Sequence, residues 1–367
     1  MNNPRHCIAL FALGFLLAGC GNLVYYAQAV GGHLDVMRAT HPIDTIVRDP
    51  ASDPTLTKKL ADVQLIRTFA SAELGLPDNA SYRSYADVGR PYVVWNVMAA
   101  PLFSLEPKRW CLLMVGCVNY RGYYDQKAAE RLAAELRQEG YDTYVGGVPA
   151  YSTLGYFNDP VLNTFLRQGP QEVARIVFHE LAHQLIFVAD DSPFNESFAT
   201  AVENEGLRRW LASHAVPGQR AALEVQRQRK VAIATLIKEY RKKFRLLYAT
   251  VRGADEMSPA KTELLAVLRR DYAELKAGWG GYAGYDNIFS EDLNNAKLVA
   301  LSLYSDLVPA FETILDAEDH DLPRFYRRVA ALAALDKNAR RAELARLLPA
   351  VGNTQQAQGD AVGGASS

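Results

Sequence analysis

"RIVFHELAHQLIFVADDSPFNESFATAVENEG", Arg175 to Gly206, decides how this chain is read. His179 and His183 stand four residues apart with Glu180 after the first, and Asn195, Glu196 and Glu203 follow beyond a short polar stretch. Pro170 precedes the segment. Proline suits a first helical position, because its missing N–H would have no intrahelical partner there. No breaker follows before Val188, which predicts a helix over 171–189. Residues four apart share a helix face, so both imidazoles project toward one point. Val173, Ile176, Val177, Leu181, Leu185, Ile186 and Val188 make most of the circumference apolar and predict burial. Two buried histidines need polar partners. A metal ion fits this spacing, and Glu180, one position round from His179, can reach a water at the ion without ligating it. The alternative is an amphipathic helix with two surface histidines. The chain has 7 histidines in 367 residues. A chance H-E-x-x-H in that composition is on the order of one in a hundred, which favours the metal site.

A hydrolytic zinc site usually has three protein ligands and one open position. "NESFA", Asn195 to Ala199, resembles the N-E-x-F-A signature on the second helix of gluzincin peptidases. The resemblance implies zinc held by His179, His183 and Glu196, with Glu180 as general base and with Asn195 and Glu203 supporting the ligands. Twelve residues separate His183 from Glu196, fewer than in thermolysin-like or alanyl-aminopeptidase-like sequences, and "DDSP" supplies turn residues for the short return. This interval, "LAGC" ending at Cys20, "YRGYYDQ" at 120–126 and "AYSTLGYFNDP" at 150–160 together resemble a bacterial zinc-dependent aminopeptidase lipoprotein family. The likeness runs through nearly the whole mature chain. It implies a zincin-like metallopeptidase domain acting on peptide or protein substrates. Such peptidases bind the substrate backbone along an edge strand before the key helix, a place that "VGGVPAYSTLGYF" occupies here, although the same stretch also reads as a loop packing its tyrosines on the core. They also use a downstream tyrosine as oxyanion donor. Tyr304 is the choice here, ahead of Tyr282 and Tyr285, since it falls on a predicted helix over 291–304. The G-x-M-E-N segment that holds the substrate amine in alanyl-aminopeptidase-like enzymes is absent. Asp190, Asp191 and Glu203 are alternatives for that role.

The chain ends and composition bound the rest. "MNNPRHCIALFALGFLLAGC" has Arg5, an apolar run from Cys7 to Leu17, then small residues. The run is too short for a permanent membrane span. "LAGC" resembles the lipobox of bacterial lipoproteins, which implies a signal peptide over 1–19 and a mature chain lipid-modified at Cys20; an ordinary secretory signal cleaved nearby, or an uncleaved anchor, is the alternative. Gly21 follows, so retention at the inner membrane is not signalled and the periplasmic face of the outer membrane is the expected location. Cys111 and Cys117 remain in the exported chain; a disulfide through a tight reversal at Gly116 or two buried thiols are the alternatives. Lys plus Arg total 40 against 41 Asp plus Glu, so no net field draws the chain to nucleic acid or to anionic lipid. The basic runs "QRQRK" and "RKKFR" alternate with apolar positions and read as the wet face of a long helix.

The predicted organisation is α+β and mainly helical, with one domain over 20–350 and a disordered polar tail at 351–367. Helices are expected at 56–74 and 125–140, and strands in "YVVWNVMA", "CLLMVGCV" and "YDTYVGGV" form a small sheet before the key helix. Helices follow at 194–213, 217–250, 257–277, 291–304, 306–316 and 322–335. Three functions are compatible with this pattern: a zinc aminopeptidase, a zinc endopeptidase acting on envelope proteins, and a zinc-holding scaffold lipoprotein. Glu180 argues against the last, since a structural zinc site needs no base.

Overall fold

A computed structural model describes residues 23–112, 116–214, 218–250, 253–302 and 307–348. Cys20, Tyr304 and the 351–367 tail lie outside them. In chain order the elements are α1 (23–38), β1 (Thr40–Pro42), α2 (Ile43–Arg48), α3 (Pro54–Ala72), β2 (Ser84–Ala86) and β3 (Val94–Pro101). Then come β4 (Trp110–Leu112), β5 (Gly116–Val118), β6 (Arg121–Tyr123), α4 (Gln126–Gln138), β7 (Tyr141–Val148), β8 (Val161–Leu162) and α5 (Asn163–Leu166). The key helix α6 (Pro170–Leu185) is followed only by helices among the described residues. These are α7 (Ser192–His214), α8 (Gln219–Thr250), α9 (Ala254–Gly278), α10 (Asn295–Ser302), α11 (Val308–Ala317), α12 (Leu322–Ala333) and α13 (Lys337–Leu347). The fold is α+β and mainly helical, with its strands ahead of α6, as the pattern predicts.

β3 is the middle strand of an antiparallel sheet, flanked by β6 and β7. Trp95, Val97 and Ala99 pack on Ala129, Ala133 and Leu136 of α4, while Met98 faces Ala300 of α10 on the other side. A strand covered on both faces reads as a continuous apolar run, which is why "YVVWNVMA" shows no alternation. A second small sheet has the order β1-β2-β8, and its strands, of three, three and two residues, are too short to announce themselves in the sequence. "CLLMVGCV" departs from expectation. It is not a strand of either three-stranded sheet but supplies most of the separate hairpin β4–β5, in which Cys111 sits opposite Cys117 and the two are disulfide-bonded. Gly116 takes φ +74°, a conformation that glycine adopts without steric cost.

The main core gathers around α6, α7 and α3, with α11, α12 and α13 closing it from the C-terminal side. Gly206 on α7 allows this closeness: a Cβ there would stand 2.7 Å from both Leu74 and Phe178. A smaller core lies between α8, α9 and α10, built on Tyr240, Phe244, Leu268 and Leu298. There the polar faces of "QRQRK" and "RKKFR" turn mostly to solvent, although Arg241 is buried. No described helix is long and apolar enough to cross a membrane.

Candidate metal centre and active site

Helix α6 begins at Pro170 and buries Val173, Ala174, Ile176, Val177, Phe178, Leu181 and Ala182. It stops at Leu185, four residues before the predicted end, because Ile186 is extended and the loop beyond is pinned from α7. Asn195 does the pinning. Its Oδ1 accepts from Val188 N at 2.8 Å and its Nδ2 donates to Val188 O at 2.8 Å, so an amide side chain pairs with the loop like a strand. Asp190 has a positive φ of 64°, tolerated by aspartate, and completes the reversal. Asp191 is fully buried, with Arg340 Nε at 2.9 Å and Arg341 Nη2 at 2.6 Å, which ties the loop to α13. The short interval thus returns α7 alongside α6 and brings Glu196 to the two histidines.

His179 Nε2 and His183 Nε2 are 3.1 Å apart. Glu196 Oε2 lies 3.3 Å from the first and 3.9 Å from the second. These three residues could hold a metal ion, their ligand atoms all lying within 4.8 Å of one another. The donor set fits zinc. Ligands about 2.0–2.1 Å from a tetrahedral ion are about 3.3 Å from each other, close to the spacing found. The tautomer fits as well: Glu203 Oε2 accepts from His179 Nδ1 at 2.8 Å, which leaves a lone pair on Nε2 facing the cluster. His183 Nδ1 is buried without a hydrogen-bond partner among the described residues.

Arg175, one turn before His179, was not singled out in the sequence, although i and i+4 share a face. Its Nη1 donates to both oxygens of Glu203 at 2.9 and 3.0 Å, and its Nε donates to Glu172 at 2.8 Å. Burial works against ionisation of Glu203, but the Arg175 charge and the His179 hydrogen bond outweigh it and hold the carboxyl low, at about 2. Burial lowers His183 to about 4. Burial also lowers His179, yet hydrogen bonds to Glu196 and Glu203 reverse this and raise it while no ion is bound; an ion at Nε2 would take the place of that proton. Burial raises Glu180 to about 7; the His179 charge opposes the rise, while Glu196 and Asp159 add to it.

Two tyrosines distant in sequence stand close enough to feel these acids. Tyr120, between β5 and β6, packs against the pair Met98 and Ala300. Its ionisation is opposed by burial and then by Glu196 and Glu180, so it remains a neutral donor. Tyr82 is fully buried, and its hydroxyl has no hydrogen-bond partner among the described residues; burial, then Glu180 and Asp159, keep it protonated. Tyr120 opens the family-like "YRGYYDQ", but nothing in the local sequence of either tyrosine gives it a role, because only the fold brings it to α6.

The three acids considered for a substrate amine are engaged elsewhere. Asp191 holds Arg340 and Arg341, and Glu203 holds Arg175 and His179. Asp190 Oδ1 accepts from Cys117 N, which docks the disulfide hairpin on the α6–α7 loop. β7 is an edge strand of its sheet but takes in only 145–148 of "VGGVPAYSTLGYF"; the rest is loop, with Tyr151 packed on the main core and Tyr156 exposed, so each of the two readings holds for part of the stretch. Thr143 O accepts from Asn294 Nδ2 at 3.0 Å and so faces away from β3; by alternation the main-chain groups of Val145 and Gly147 face the same way. Tyr282 and Tyr285 belong elsewhere: Tyr285 packs on the core of α8 and α9, and Tyr282 lies under Arg229.

No curated protein and no solved structure matches the chain. A family model described as "Putative aminopeptidase" matches residues 24–344, from α1 through most of α13 and across the His179–Glu203 cluster. A match over so much of the chain establishes membership: the protein belongs to this aminopeptidase family.

Proposed function

We propose that the protein is a zinc-dependent peptidase of the bacterial cell envelope, an aminopeptidase anchored by lipid at Cys20. The observation that carries this is the convergence of His179 Nε2, His183 Nε2 and Glu196 Oε2 next to Glu180, with Glu203 on the far nitrogen of His179. Bound between those three atoms, zinc would act as a Lewis acid that activates water toward a peptide carbonyl. Glu180 takes the proton from the attacking water on its carboxylate and passes it to the leaving amine nitrogen. The Tyr120 hydroxyl donates to the carbonyl oxygen as negative charge develops there. The outward N–H and C=O groups of Val145 and Gly147 pair with an extended substrate.

The exopeptidase assignment rests on the family, because Asp190, Asp191 and Glu203 are each engaged by other groups of the fold. The endopeptidase reading is the alternative. A scaffold is disfavoured by Glu180, a base that a structural zinc site would not use. Glu180→Gln tests the proposal: zinc content should stay unchanged while peptide cleavage falls by about 10²–10⁴-fold. Wild-type protein that holds zinc yet cleaves nothing from a broad peptide library would overturn the enzyme reading. An N-acetylated copy of the best substrate separates the two peptidase readings, since only an endopeptidase continues to cut it.

A further inference from the structure

Helix α1 is an amphipathic helix whose apolar stripe faces out. Tyr25 and Val36 are buried, and Gly32 lies so close to Tyr124 that a Cβ would overlap the ring. Gln28 bonds the main chain of both Gly122 and Tyr124, and His33 bonds Tyr151, so the helix is fixed to the body and is not a loose tether. On the opposite face Leu23 is 71% exposed, Val24 68%, Val30 59% and Leu34 45%. Leu23, Ala27, Val30 and Leu34 recur at four, three and four residues, a single stripe along three turns that spans about 16 Å. Charge appears only at the far end, where Asp35 and Arg38 pair at 3.1 Å. A stripe of this size exposed to water opposes solubility and marks a surface that something covers.

We propose that the outer face of α1 is a membrane-contact surface, lying in the interface of the lipid bilayer and fixing how the domain sits on it. The occupant follows from the chain just before the helix. On the reading that Cys20 carries the acyl chains, on which this inference rests, Cys20 is three residues from Leu23, at most about 11 Å of chain. The anchor therefore holds the stripe within reach of the headgroups, and the apolar side chains are those nearest the anchor. An interfacial helix seats its apolar face about 5–10 Å into the headgroup boundary, which Leu- and Val-sized side chains suit. Because α1 is bonded to the β6 region, contact along the stripe orients the whole domain.

The test uses the full lipid-modified chain in vesicles of phosphatidylethanolamine and phosphatidylglycerol that carry a headgroup nitroxide. A polarity-sensitive dye is placed on Val30→Cys or, as a control on α8, on Lys242→Cys, with Cys111 and Cys117 left bonded. The expected result is a blue shift and loss of emission for the Val30 label alone. Vesicle-associated protein in which both labels stay bright and solvent-exposed would overturn the proposal while leaving the anchor intact. Protein that does not float with vesicles would overturn the anchor and the proposal together. A Val30 label already shielded without lipid would show that a second copy or the leader segment covers the stripe, and would overturn it too. Peptidase activity, measured separately, is affected by none of these outcomes.

Discussion

Glu203→Gln removes one charge from the centre of the site while keeping the shape of the side chain. In the wild type both carboxylate oxygens accept from Arg175, and one also accepts from His179 Nδ1. A glutamine carbonyl can satisfy one of these donors, but its amide N–H₂ then faces the other, inside a position that is 1% exposed. Hydrogen bonds to charged groups contribute about 1.5–3 kcal/mol. Arg175 keeps Glu172 and is one third exposed, so solvent makes good part of the loss and about 2 kcal/mol of stability should disappear. Loss of the group that fixes a ligand histidine should also weaken zinc binding by about 10–100-fold. The folded carboxyl is held at about 2 against an ordinary 4.5, so its contribution is present above about 4.5 and is lost as pH falls toward 2. Denaturant unfolding of the metal-free proteins at pH 7 and pH 3 should show the difference shrink at the lower pH, and competition with a chelator should report the affinity. A variant as stable as wild type at pH 7, with zinc affinity within about twofold, would refute the idea that Glu203 orients His179.

Two further perturbations probe other parts. Tyr120→Phe should leave zinc content and unfolding midpoint unchanged while turnover falls by about 10²–10³-fold; unaltered turnover would remove Tyr120 from the mechanism. Asp191→Asn leaves Arg340 buried without its counter-charge and should cost about 3–5 kcal/mol in thermal or denaturant unfolding. Arg340 and Arg341 outweigh burial and hold Asp191 below the usual carboxylate range. The penalty should therefore be full at neutral pH and fade in acid as wild-type Asp191 is protonated; a loss near zero at pH 7 would show that the loop does not depend on this pair.

Whatever depends on period and short spacing is legible without the fold. Residues four apart on a helix must share a face, so the pairing of His179 with His183 follows without knowledge of the fold. The apolar wrapping of Val173 to Leu181 required burial, and the run of strands before α6 and of helices after it is the order found. The family-like spacing of Glu196 and Glu203 put both acids on α7, and the structure sets both beside His179. Tertiary structure decided the rest, because contacts across long sequence separation leave no local mark. Arg340 and Arg341, about 150 residues beyond the loop they fix, read as ordinary surface charge until α13 packs against Asp191. Tyr120 and Tyr82 are two among 19 tyrosines, told apart only by where β5, β6 and the segment before β2 come to rest. The outward stripe of α1 left no local mark either: the helix carries apolar residues on both faces, and only the packed molecule shows that Tyr25 and Val36 are covered while Leu23, Val30 and Leu34 face out.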